Sequence, residues 1–228
     1  TSGDASLDID NNIISSVLTI GSNGIDVTTG AGNSTINIRG NQISSVANGF
    51  GDAIHFTGNS TGTTNLTISG NTVENTLGIF GDAIDVRYNA GSATTSIVSN
   101  TIDSDDLLNL MNGGIYLNLN TTGATETFID QNIVSDDALA GLLNDGIFVD
   151  IDRGTNDTIV HVTNNELGGS TDILDDGIQI RMGNSGVSNV AHVQVNDNQI
   201  YGLLNFGLNV SVANANTISM QIDGNDTS

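Results

Sequence analysis

Asp26, His55 and Asp85 stand at steps of 29 and 30 residues, each between two apolar residues, and Arg87 lies two places beyond Asp85. If successive copies of this pattern stack as neighbouring strands, all four share one outward face. Two carboxylates two rungs apart would be roughly 9–10 Å apart, at the upper end of the range for inverting glycoside hydrolysis. The histidine suits proton transfer and the guanidinium suits the carboxylate of an acidic sugar. This set of Asp26, His55, Asp85 and Arg87 is therefore the candidate for catalysis on a polysaccharide. Its alternative is a set of opposite charges on neighbouring strands that simply offset each other.

A second group is purely acidic. Asp52, Asp82, Asp145 and Asp176 precede their strands at equivalent places, and Asp105-Asp106 and Asp136-Asp137 recur on consecutive repeats. Carboxylates one rung apart repel unless a cation or a proton intervenes. Ca²⁺ takes six to eight oxygens, and Asp, Asn and backbone carbonyls abound here, so Asp52, Asp82, Asp105, Asp136, Asp145 and Asp176 are candidate calcium ligands. Aspartate as a turn former, with its charge in water, is the other reading. Tyr116 and Phe148 form an outward aromatic pair that could hold a sugar ring or stiffen a sheet by stacking. His161 and His192 lack any ligand-like context and read as surface residues.

The elements that would position these residues are legible as repeats. A small residue followed by apolar, any, apolar recurs at Gly24-Ile25-Asp26-Val27, Ala53-Ile54-His55-Phe56 and Ala83-Ile84-Asp85-Val86. It continues at Gly114-Ile115-Tyr116-Leu117, Gly146-Ile147-Phe148-Val149, Gly177-Ile178-Gln179-Ile180 and Gly207-Leu208-Asn209-Val210. A second pattern interleaves: apolar, any, apolar, two polar, Asn, any, apolar, as in Ile36-Ile38-Asn41-Ile43 and Val193-Val195-Asn198-Ile200. Its middle copies are degenerate, with Asn100 before Ile102 and Gln131 in the asparagine's place before Ile133. A third, looser apolar patch includes Val17, Ile20, Leu77, Phe80, Leu107, Leu110, Leu142 and Leu143.

Period-two alternation without a helical period predicts short strands with one buried face. Three strands per repeat predict an all-β, right-handed single-stranded parallel β-helix of about seven coils of ~30 residues each. The recurrent asparagine is expected at a corner, bonding to the next rung in a ladder. No composition break interrupts the pattern, so residues 1–228 read as one β-helix domain, or a segment of a longer solenoid.

Composition narrows the function. The net charge is −22, with four Arg, no Lys and no Cys. Such a chain repels polyanions, which argues against nucleic acid and anionic membranes. No apolar run is long enough to insert into a bilayer.

The Asp145-Gly146-Ile147, Asp176-Gly177-Ile178 and Gly40-Asn41-Gln42-Ile43 signatures resemble the parallel β-helix repeat of the pectate-lyase-like superfamily. That resemblance implies the fold. It is compatible with polysaccharide lyases, hydrolases and epimerases, and with the passive stalks of secreted adhesins. Lyases of that superfamily commonly set a basic residue beside acidic calcium ligands, and only Asp85 with Arg87 approximates this. The expectation is an extracellular or cell-surface structural or adhesive solenoid, with a carbohydrate-active enzyme as the alternative. Both termini fall within a repeat, so Leu7 and Ile9 at one end and Met220 and Ile222 at the other are expected to be covered by end-to-end self-association or by adjoining coils.

Overall fold

A computed structural model of the chain describes residues 3–15, 21–44, 51–74, 81–104, 113–136, 145–153, 158–168, 175–183, 190–203, 205–213 and 217–227; the side chains of Ser104, Asp136 and Arg153 lie outside the description. It is a parallel β-helix of about six turns, with three strands per coil and no helix among the described residues. The strands fall into three parallel sheets of seven, eight and eight. The seven-stranded sheet holds the candidate chemistry and is called here the site sheet. It runs Ile25–Thr29, Ile54–Gly58, Asp82–Tyr88, Gly113–Asn120, Asp145–Arg153, Ile178–Met182, Leu208–Val212. The long sheet contains strands such as Ser34–Arg39 and Thr63–Ser69, and the short sheet strands such as Gln42–Ser44 and Thr72–Glu74.

The pairing register stacks like on like. Ile54 pairs with Ile84, Ile84 with Ile115, Ile115 with Ile147 and Ile147 with Ile178, and all five side chains are buried. Parallel strands buried on one face suit β-branched residues, and the register sets each such side chain beside its equivalent one rung away. The small residue ahead of each isoleucine has a packing reason. A Cβ added to Gly114 would lie 2.4 Å from Val134 Cγ1 and 2.7 Å from the Gly146 carbonyl oxygen, so the coil is too narrow there for a side chain. Further along the strand Phe56 tilts against Tyr88 at 5.6 Å between centroids, and the Tyr88 hydroxyl meets Thr95 Oγ1 at 2.7 Å.

The corner between the long and short sheets carries the expected asparagine ladder, with a different membership. It consists of Asn12, Asn41, Asn71, Asn100, Asn132, Asn165, Asn198 and Asn225. Gln131 is not a rung. Asn100 donates its backbone N–H and its Nδ2 to Asn132 Oδ1 at 3.1 and 2.9 Å, and Asn132 Nδ2 donates to the Ile97 carbonyl at 2.8 Å. Gln131 fills instead the left-handed position before the asparagine, with φ 55°, where Gly40 and Gly70 stand in other coils at 62° and 61°. Val134, not Ile133, then points inward opposite Ile102, and Ile133 is 43% exposed.

The third strand of each coil is the short segment directly after this corner. The looser apolar patch that includes Val17 and Leu77 lies outside the described residues. At the outermost rungs Leu7 and Ile222 are exposed, whereas Ile9 and Met220 pack partly against the core.

This geometry separates two adjacent substitutions. Asn132→Ala would strand buried donors on Asn100, each at a cost of about 1–3 kcal/mol, and is expected to lower the thermal midpoint sharply. Gln131→Gly relieves a left-handed side-chain penalty of about 1–2 kcal/mol, partly offset by glycine's entropy, and is expected to leave stability unchanged or raised. Calorimetric melting of both variants checks the assignment; the reverse order would restore Gln131 to the ladder.

Candidate functional site

The site lies where the site sheet begins, on the second and third of its rungs. Asp52 and Asp82 occupy equivalent places at the strand starts, and their spacing is set by a second ladder of side-chain acceptors. Asn23 Oδ1 accepts the Asp52 N–H at 2.8 Å, and Asp52 Oδ1 accepts the Asp82 N–H at 2.8 Å. Further along, Asp145 Oδ1 accepts the Asp176 N–H at 3.2 Å, and Asp176 Oδ1 accepts the Phe206 N–H at 3.1 Å. The acidic column is thus a turn-forming device on the described rungs: each bonded oxygen caps a backbone donor of the next coil.

His55 bridges two of these carboxylates. Its Nδ1 lies 3.1 Å from Asp52 Oδ2 and 3.3 Å from Asp85 Oδ2, while Nε2 meets Thr57 Oγ1 at 2.9 Å. Asp85 sits on the outward row yet is fully buried, and Arg87 grips it from the other side, with Nε 2.9 Å from both carboxylate oxygens and Nη2 2.6 Å from Oδ2. The Arg87 guanidinium also lies over the Tyr116 ring at 5.3 Å, and Tyr116 meets Phe148 edge to face at 5.3 Å. Beyond Phe148 the arrangement repeats. Arg181 lies over that ring at 5.0 Å, its Nε lies 3.0 Å from the buried Asp150, its Nη2 pairs with the same carboxylate, and Asn118 Nδ2 donates to Asp150 and Asp152 at 3.3 and 2.9 Å.

Burial and this pairing move the titrations. Hydrogen bonds to Asp52 and then Asp85, partly opposed by burial, raise His55 to about 10. Burial, reinforced by Asp85 and Asp52, pushes the Asp82 carboxyl well above the carboxylate range. Asp145 is raised to about 7, by burial first and then by Asp176. Burial also raises the hydroxyl of Tyr116.

The structure therefore brings together His55, Asp85 and Arg87 of the expected catalytic set and adds Asp52. Asp26 pairs in register with His55 but is exposed, and it lies outside the group of ligand-capable atoms within 4.8 Å of one another, which is Asp52, His55 and Asp85. Asp82 is the site's missed electrostatic neighbour: it stood out in the sequence only as one of the acidic column. Asp150 with Arg181 was missed too, although both were on the outward rows. Of the remaining calcium candidates, Asp145 and Asp176 are ladder members, Asp136 pairs in register with Ser104, and Asp105 lies outside the described residues. The aromatic pair of Tyr116 and Phe148 is present, flanked by the two arginines. His161 stacks on Phe128 at 4.7 Å and meets Gln194 Oε1 at 2.8 Å.

Comparison of the chain with protein families, with curated proteins and with solved structures finds no match.

Two pH effects follow. His55, raised from 6.5 to about 10 by its carboxylate partners, contributes stability that is full below pH 6.5 and is lost as pH rises through about 10. In chelator-treated protein, NMR titration should find this imidazole still protonated at pH 8; a midpoint near 6.5 would contradict the geometry. Asp145 runs the opposite way to an ordinary ion-paired acid. Its folded carboxyl is raised from 3.8 to about 7, so the folded state loses stability as pH climbs between those values. Asp145→Asn keeps the acceptor for Asp176 and removes the buried charge. It should melt a few degrees higher than the parent above pH 7, with the difference vanishing near pH 4.

Proposed function

We propose that the chain is an extracellular or cell-surface structural or adhesive solenoid, a rigid module of a stalk, matrix or fibre. One observation carries the reading: the side chains that could do chemistry on the site sheet are already engaged with one another. Asp85 is held by both His55 and Arg87, and Asp150 by Arg181 and Asn118. A histidine raised to about 10 is a poor general base at neutral pH, because it is held in its protonated form. An asparagine ladder that continues through all eight of its levels suits a load-bearing element, since stability accumulates rung by rung. The net charge of −22 keeps such a surface soluble and resists nonspecific association.

The alternative, a polysaccharide hydrolase or lyase, draws on the same cluster, with Asp52 in place of Asp26 beside His55, Asp85 and Arg87. Surface labelling of intact cells of the source organism and a depolymerisation assay on uronic-acid polymers separate the two. The expected result is surface labelling without chain cleavage. Cleavage that disappears in Asp85→Asn would establish the enzyme instead, and labelling confined to the cell interior would remove the extracellular reading.

A further inference from the structure

We infer that Asp52, His55 and Asp85 form a binding site for one divalent transition-metal ion, with Zn²⁺ as the best-fitting occupant, and that this ion staples two successive coils.

The first support is the spacing of the donors. Bonds of 2.0–2.1 Å to a common centre set neighbouring tetrahedral ligands roughly 3.3 Å apart. His55 Nδ1 is 3.1 Å from Asp52 Oδ2 and 3.3 Å from Asp85 Oδ2. All three ligand atoms lie within 4.8 Å of one another. Asp52 and His55 belong to one coil and Asp85 to the next, so an ion held by them ties the coils together.

The second support is the surroundings of the ligands. A metal-binding imidazole usually commits its other nitrogen to a hydrogen bond, which fixes the tautomer. Here Nε2 faces Thr57 Oγ1 at 2.9 Å, so that on metal binding Nδ1 would give up the proton it shares with the carboxylates and present its lone pair to the ion. Ligating carboxylates are themselves commonly hydrogen-bonded, and Arg87 holds Asp85 through both oxygens.

The third support is independent of the cluster, and it is Asp82. Asp82 is only 6% exposed, and the charges of Asp85 and Asp52 add to burial in raising its carboxyl. In the acidic column Asp52, Asp145 and Asp176 each accept an N–H from the following rung. The following rung for Asp82 is Gly113. Gly113 also carries no side chain there: a Cβ on it would lie 3.3 Å from Asp82 Oδ1. A buried carboxylate whose charged neighbours include two further carboxylates is a costly arrangement that a cation would relieve.

The mixed donor set selects the ion class. Imidazole with carboxylates suits zinc and its first-row neighbours, whereas calcium prefers oxygen ligands alone and more of them. This differs from calcium spread along the acidic column, and it does not depend on whether the solenoid is a scaffold or an enzyme.

The test uses the full chain, stripped with a chelator and titrated with ZnCl₂ by calorimetry, with melting followed in parallel. One saturable site per chain and a zinc-dependent rise in melting temperature are expected, with CaCl₂ giving neither at the same concentration. His55→Gln should abolish the site. Thr57→Val leaves every ligand in place and should weaken zinc about 10–100-fold, the usual effect of removing an outer partner. Asp145→Asn, outside the site, should leave affinity unchanged. If His55→Gln does not fold, Thr57→Val and the visible spectrum of the Co²⁺-loaded parent decide. Absence of saturable zinc binding, affinity undiminished by Thr57→Val, or a Co²⁺ spectrum without ligand-field bands of a protein-bound ion would overturn the inference.

Discussion

Every sheet in this molecule depends on one corner. At each of eight levels a left-handed residue turns the chain and the next residue, an asparagine, closes the turn. Each interior asparagine accepts two hydrogen bonds from the preceding rung, and its amide donates to a carbonyl of that rung and to the following asparagine. Stacked strands provide hydrogen bonds only within sheets; a corner exposes backbone groups that no sheet can satisfy. The amide is the side chain that donates and accepts at once, so identical copies satisfy one another along the axis. Coil length can then vary between corners without disturbing the stack. Successive rungs of the ladder are separated by as few as 27 and as many as 33 residues.

The opposite corner solves a harder problem. Aspartates one strand spacing apart carry like charges, and amide-style reciprocity is closed to them because an ionised carboxylate only accepts. The chain uses them as acceptors for the next rung's N–H and offsets the remaining charge with scarce cations. Of four arginines, the three whose side chains are described all sit on aspartates: Arg39 on Asp8 and Asp10, Arg87 on Asp85, Arg181 on Asp150. The first pair is exposed and worth little in water. The other two reach into buried carboxylates, where loss of the partner would leave a desolvated charge, so these arginines hold the outward face together.

Much of this was legible in residue spacing, and the failures have physical causes. The small-apolar-x-apolar motif fixed the site sheet and its register because a period of two cannot slip without turning core side chains outward. The same period misled at Gln131. Ile133 and Val134 are adjacent and both apolar, so alternation alone could place either inside. The asparagine decided it, because Asn132 keeps the amide two residues before an inward side chain as in every other coil. Asp26 was grouped with His55 and Asp85 by its row alone. The row is as expected, and the partner of His55 is a residue the row does not contain: the histidine turns along its own strand toward Asp52 and across to Asp85. Side-chain direction at a strand start is set by the local corner, and spacing carries no record of it. Nor does spacing reveal that an outward residue such as Asp85 is buried.

Position within the stack also explains why the cluster is where it is. A repeating ladder makes all rungs alike, so distinctive chemistry needs a break in the repetition. The acidic column is broken at Gly113, which interrupts the chain of acceptors between Asp82 and Asp145. On the row beside it the outward residue changes from Asp85 to Tyr116 across the same step. Arg87, projecting from the last acidic rung onto the first aromatic one, joins the two halves of the face. Where the acidic column stops, its last rung gathers charge: Asp82 and Asp85, with His55 and Asp52 directly beneath them and Arg87 paired to Asp85.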